Sequence, residues 1–167
     1  MTTDKARDLL ILGLRNAHAM ETQARELLEN QSERTGDYPE VQARLRTHLE
    51  ETRGQLQRLE ECLRQFGETE STLKDTASSA IGNLTSMAHA AAGDEILKNA
   101  FADNAFENYE IAAYKSLLAL CRSAGTDLSA PLEASLREEQ EMAAWIDSHI
   151  EDVTLQYLAK EERSAAA

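Results

Sequence analysis

A chain of 167 residues, 42% of them hydrophobic, can bury one continuous core without disulfide or metal staples, so a single domain is expected. Its 30 acidic residues against 17 Lys plus Arg give a formal net charge of −13, a field that repels phosphate backbones and excludes nucleic acid as a partner. Two prolines and seven glycines, in a background of Ala, Leu, Glu, Gln and Arg, leave little to build strands from and predict an all-α protein.

Helical periodicity begins near Asp4 and holds to about Arg34. The apolar run 9–14 inside it is too short for a signal-peptide core or a membrane span, so a cytoplasmic protein that does not engage a membrane is expected. Residues 35–39, Thr-Gly-Asp-Tyr-Pro, form a turn, with Pro39 acceptable in the first turn of a second helix over 39–66. Gly67 is the natural stop for that helix. Residues 67–93 carry a polar lead and a weaker Ala-, Ser- and Met-containing helical segment at 73–91, which reads as a crossover. Asp94 can cap a third helix reaching about Ser123. Gly125-Thr126-Asp127 turns the chain into a fourth helix from about Ser129 to Leu158, leaving 161–167 as a frayed tail beyond a domain of 1–160.

Two helical hairpins joined by a long crossover allow the second and third helices to run parallel, which is the connectivity of a ferritin-like four-helix bundle. Cys62 and Cys121 are too few and too far apart for a CxxC or zinc motif and sit in apolar stripes, where buried reduced thiols are expected.

The apolar stripe of each helix is interrupted by acids, and charge on a core face is costly unless something neutralises it. The first stripe runs Leu10, Leu14, Ala17, Glu21, Ala24, Leu28, with His18 one turn before Glu21. The third runs Ile96, Ala100, Asp103, Glu107, Glu110, Tyr114, Leu117, Cys121. The fourth runs Leu132, Ser135, Glu139, Met142, Ile146, Ile150, Val153, with Glu138 and Glu141 turned toward solvent. In the second, the stripe is Leu45, Leu49, Thr52, Leu56, Leu59, Leu63, and His48 and Glu51 lie together on one flank. Glu21 and Glu51 are equidistant from the first turn, and Glu110 and Glu139 from the second, so within each hairpin the acids share a height. Four levelled carboxylates, each helix pair adding a Glu or His at i±3, reproduce the ligand logic of di-iron and di-manganese carboxylate bundles. The competing expectation is a set of structural ion pairs with Arg15, Arg44 or Arg53 in a non-enzymatic interaction or stress-protection module.

The segment His48-Leu-Glu-Glu-Thr52, followed by Gln55 and Arg58-Leu-Glu60, and the segment Glu107-Asn-Tyr-Glu-Ile-Ala112, followed by Tyr114, resemble the HxEET and EHYEIA motifs of the bacterial ferritin-like family of stress-induced YciF and YciE proteins. Met20-Glu21-Thr-Gln23 and Leu136-Arg-Glu-Glu139 resemble its AEKQL and LxEE signatures, and the resemblance covers about residues 5–160. It implies a dimetal centre in a ferritin-like fold, a homodimer and a role in stress response. Asn108 replaces the His of EHYE, and Met142 stands where ferritin-like sites carry the His of ExxH, so a weak or carboxylate-only second metal position is expected.

The resulting assignment gives two metal ions, iron first with manganese or zinc as substitutes. Glu51 and Glu139 are bridging carboxylates, Glu21 and Glu110 terminal ligands, and His48 and Glu107 the extra ligand for each ion. His18 is a supporting or replacement ligand. Oxygen or peroxide is the expected small-molecule substrate, in ferroxidase-like chemistry.

Overall fold

The computed structural model describes residues 2–68 and 95–166. The described residues form four helices, α1 (Thr2–Arg34), α2 (Pro39–Arg64), α3 (Glu95–Ala124) and α4 (Ser129–Ala165). The expected crossover helix at 73–91 and the Asp94 cap lie outside the described residues.

Each hairpin turn is set by local chemistry. After α1, the backbone N–H and the hydroxyl of Thr35 both donate to the Gln31 carbonyl at 3.1 and 3.0 Å, and Gln42 Nε2 donates to the Ser32 carbonyl at 2.7 Å. Pro39 then opens α2, where its missing N–H costs nothing. At the end of α2, Glu68 N–H bonds back to the Leu63 carbonyl and Gly67 N–H to that of Arg64, with Gly67 at φ +81°. This is a Schellman ending, and it closes the regular helix at Arg64, two residues before the expected Phe66, because residues 65–67 are spent on the turn. The end of α3 repeats the device, with Thr126 bonded to the Cys121 carbonyl and Gly125 at φ +66°.

The last helix is longer than its sequence pattern indicates. It continues through the expected tail to Ala165. Lys160 Nζ reaches Asp37 Oδ2 at 2.6 Å and lies over the Tyr38 ring, so the charged stretch is tied to the α1–α2 turn.

Helix α1 packs on α2 and α3, and α4 packs on α3 and α2, so α1/α4 and α2/α3 occupy the diagonals. Cross-helix pairs fix the directions. The N-terminal part of α1 meets the C-terminal part of α3 at Gly13 and Leu117, while Gln31 near its other end bonds Asp103. Gln55 and Arg58 of α2 bond residues in the first half of α4. Every neighbouring pair is therefore antiparallel and α2 runs parallel to α3, the all-α four-helix bundle that the long connection requires.

The core is layered. One apolar cluster holds Leu10, Leu14, Leu59, Leu63, Tyr114, Leu117 and Leu132 with the two free, buried cysteines. A second, farther along the bundle, holds Leu28, Leu45, Leu49, Met142 and Ile146. Between them lies a layer of buried polar side chains.

Candidate metal centre

Each helix carries its part of the polar layer at the position where its apolar stripe breaks. Helix α1 brings Glu21, α2 brings His48, Thr52 and Gln55, α3 brings Glu107 and Glu110, and α4 brings Ser135 and Glu139, all of them buried. Burying this many polar groups is destabilising unless partners are supplied.

Four of the six foreseen residues converge. One ligand atom each from His48, Glu107, Glu110 and Glu139 lies within 4.8 Å of the others, so small side-chain movements would bring them to the distance of about 2.0–2.2 Å from a shared cation. His48 Nε2 stands 3.3 Å from Glu107 Oε1 and 3.4 Å from Glu139 Oε2.

Glu21 approaches from α1. It accepts a 2.6 Å hydrogen bond from the Tyr114 hydroxyl, and its charge is felt at Glu110 while that of Glu139 is felt at Glu21.

Glu51, foreseen as a bridge, is not one of the converging four. Its carboxylate lies 2.8 Å from His48 Nδ1 and 3.1 Å from Arg44 Nη1 and keeps 22% of its side-chain surface. It sits on the flank of α2 that leads outward, where Arg44 draws it, so it holds the far nitrogen of the imidazole. His18 lies 3.5 Å from Glu60 and outside the converging group.

Gln55 is the residue that the stripe reading missed. It is fully buried, its amide donates to both Glu139 and Glu138, and Arg58 also donates to Glu138. Glu138 is consequently half-buried under these partners, whereas Glu141 is exposed. The missed signal was a second 4-3 row on α2, His48, Thr52, Gln55, Leu59, Cys62, all buried.

Electrostatics follow from this crowding. Burial, reinforced by the neighbouring carboxylates, holds Glu21 and Glu110 well above the usual carboxylate range. Burial pushes Glu139 up to about 7, opposed by its contact with His48. Burial alone would lower the His48 imidazole, but Glu107, Glu139 and Glu51 around it outweigh that and raise it to about 12. A metal-free centre thus satisfies itself with protons and one imidazolium.

That compensation is incomplete. Glu21 Oε2, Glu107 Oε2, both oxygens of Glu110 and Gln55 Oε1 are buried without a hydrogen-bond partner, and Glu139 Oε2 has only its 3.4 Å contact with His48 Nε2. Of the arginines in the competing expectation, Arg44 does pair with a foreseen acid, Glu51, while Arg15 bonds Glu68 and Arg53 bonds Glu29 and Glu50, and none of these pairs includes the converging four. Buried carboxylate oxygens gathered around an imidazole whose other nitrogen is held by a carboxylate are a donor set that fits a metal ion.

A family model described as a domain of unknown function, DUF892, matches residues 5–159. Among solved structures, the protein XCC3681 from Xanthomonas campestris pv. campestris is similar over 95% of this chain and 99% of its own, at 30% sequence identity and a TM-score of 0.78. YcfI from Rhodopseudomonas palustris is similar over 85% of this chain and 92% of its own, at 25% identity and a TM-score of 0.67.

Proposed function

We propose that this chain, which belongs to the DUF892 family, is a ferritin-like dimetal-carboxylate protein that binds two iron or manganese ions in its core and serves oxygen or peroxide chemistry during stress. The observation that carries the reading is the set of buried carboxylate oxygens left without partners in the polar layer to which all four helices contribute. An unsatisfied buried carboxylate is expensive, and a cation is the partner these oxygens lack.

His48, Glu107 and Glu139 would hold one ion, and Glu21 with Glu110 the other. Glu51 orients His48 through Nδ1, and Tyr114 fixes one oxygen of Glu21 so that the other is left for metal. Two adjacent ferrous ions, when bound, supply a pair of electrons to an oxidant, and carboxylates accommodate the change in charge by moving between terminal and bridging modes. The apolar clusters on either side of the polar layer exclude bulk water from the centre and thereby strengthen its electrostatics.

The motif resemblance to the YciF and YciE proteins supports the stress role and a homodimer. No helix among the described residues is long and apolar enough to cross a membrane. Exposed Leu9, Leu12, Phe101 and Tyr109 leave apolar surface for a second copy, which light scattering would detect.

Elemental analysis of protein purified without chelators tests the centre. About two Fe or Mn per chain, lost in Glu139→Ala and His48→Ala, is the expected result. No metal after anaerobic Fe(II) loading would sink the reading in favour of a non-enzymatic interaction module, whose ion pairs are those His48 makes with Glu107 and Glu139.

A further inference from the structure

A small apolar cavity lies one helical turn from the metal centre. Its volume is about 30 Å³, and Leu45, Ala100, Met142 and Ile146 are among its walls, with Gln31 and Asp103 on one side. Gln31 Nε2 donates to Asp103 Oδ1 at 2.8 Å, which leaves Gln31 Oε1 as a buried acceptor without a partner.

The position of the cavity follows from helical spacing. Leu45 precedes His48 by three residues, Asp103 precedes Glu107 by four, and Met142 follows Glu139 by three. Residues at these spacings stack on one helix face about 5.4 Å apart. Three helices therefore place a cavity wall one turn from a carboxylate or imidazole of the centre. Met142, 1% exposed, lines the cavity directly beyond Glu139, and its unbranched thioether is the kind of core side chain that yields to a passing molecule.

Size and lining select the occupant. One water requires roughly 10–15 Å³ of such space together with two to four polar partners. Here there is room for a diatomic molecule, but the buried polar side offers one open acceptor, Gln31 Oε1, fewer partners than a water needs. Hydrogen peroxide, with two hydroxyls to satisfy, is disfavoured by the same walls. Dioxygen is apolar and of the right size.

We propose that this cavity is the antechamber from which dioxygen reaches the metal centre, past Met142, making dioxygen rather than peroxide the oxidant that the protein is built to admit. The inference rests on the dimetal reading of the centre.

Xenon, an apolar probe of comparable size, tests the cavity without metal or turnover. In the metal-free protein, xenon NMR or a xenon-pressurised crystal should place the gas beside Met142 and Ile146, and both Ala100→Leu and Ile146→Phe should abolish that binding. With Fe(II) loaded, the same variants should slow oxidation by dioxygen several-fold and leave oxidation by hydrogen peroxide unchanged. The use of two filling variants on different helices keeps the test decisive if one of them folds poorly. Absence of xenon from a protein that retains its metal overturns the antechamber alone, as does equal slowing with both oxidants. A protein that takes up xenon but no metal overturns the dimetal reading and the antechamber with it.

Discussion

Tyr114 and Glu21 are both fully buried and joined by a 2.6 Å hydrogen bond between the neighbouring helices α3 and α1. Removing the hydroxyl in Tyr114→Phe leaves both oxygens of Glu21 unpartnered, and stranding a buried acceptor costs about 1–3 kcal/mol. Urea unfolding of the metal-free variant should register a loss of that order, and an unchanged midpoint would show that Glu21 already finds another donor. Asp103 offers a pH-dependent counterpart. Burial raises its carboxyl to about 6, against the opposing bond from Gln31 and the field of His48. An acid whose pKa is raised by folding is disfavoured as the carboxylate, so its penalty on the native state is absent at low pH, grows as pH climbs past the ordinary value of 3.8, and is complete above about 6. Asp103→Asn should therefore gain stability relative to the parent chain across that window and hold the gain at higher pH. Paired denaturation curves at successive pH values would read it, and a constant difference would refute the assignment.

At the scale of elements, the contact of α1 with α3 depends on Gly13. A Cβ built there meets a terminal methyl of buried Leu117 at 2.9 Å, so the helices approach more closely than a side chain at this position allows. Gly13→Ala should be nearly neutral, because the gain in helix propensity, about 1 kcal/mol, offsets a small shift of Leu117. Gly13→Leu should cost about 1–3 kcal/mol through overpacking, and adding Leu117→Ala should recover part of that loss. Additive effects of the two substitutions in thermal unfolding would show that the close contact does not exist. The α3–α4 turn closes on a positive-φ glycine, as the end of α2 does, whereas the α1–α2 turn is closed by Thr35 and Pro39, so the two hairpins set the height of their acids by different local devices.

Across the whole molecule, a formal charge of −13 surrounds a core layer that itself carries unpartnered carboxylate oxygens. A cation that binds only the folded chain stabilises it by mass action. Addition of Fe(II) or Mn(II) should accordingly raise the melting temperature of the parent protein and leave that of Glu139→Ala unmoved. A parent protein whose melting temperature does not respond to metal would remove the reason for these acids to be buried together.

The sequence by itself determined the helices, the two turns, the parallel placement of α2 and α3, and the presence of acids in the buried stripes of α1, α3 and α4. These follow from short-range rules, because the spacing of apolar residues fixes which positions share a helix face, and Gly and Pro fix where a helix stops or starts. Glu21, Glu107, Glu110 and Glu139 were legible for that reason. The tertiary structure alone decided the α2 side of the centre. The buried face of α2 is wide enough to hold two 4-3 rows, and only the rotation of α2 against α4 determines that His48 and Gln55 point inward while Glu51 turns to Arg44. The cavity beside Met142 is likewise absent from any pattern of residues, since it is the space that four packed helices fail to fill, and spacing along one chain does not register the gaps between its neighbours.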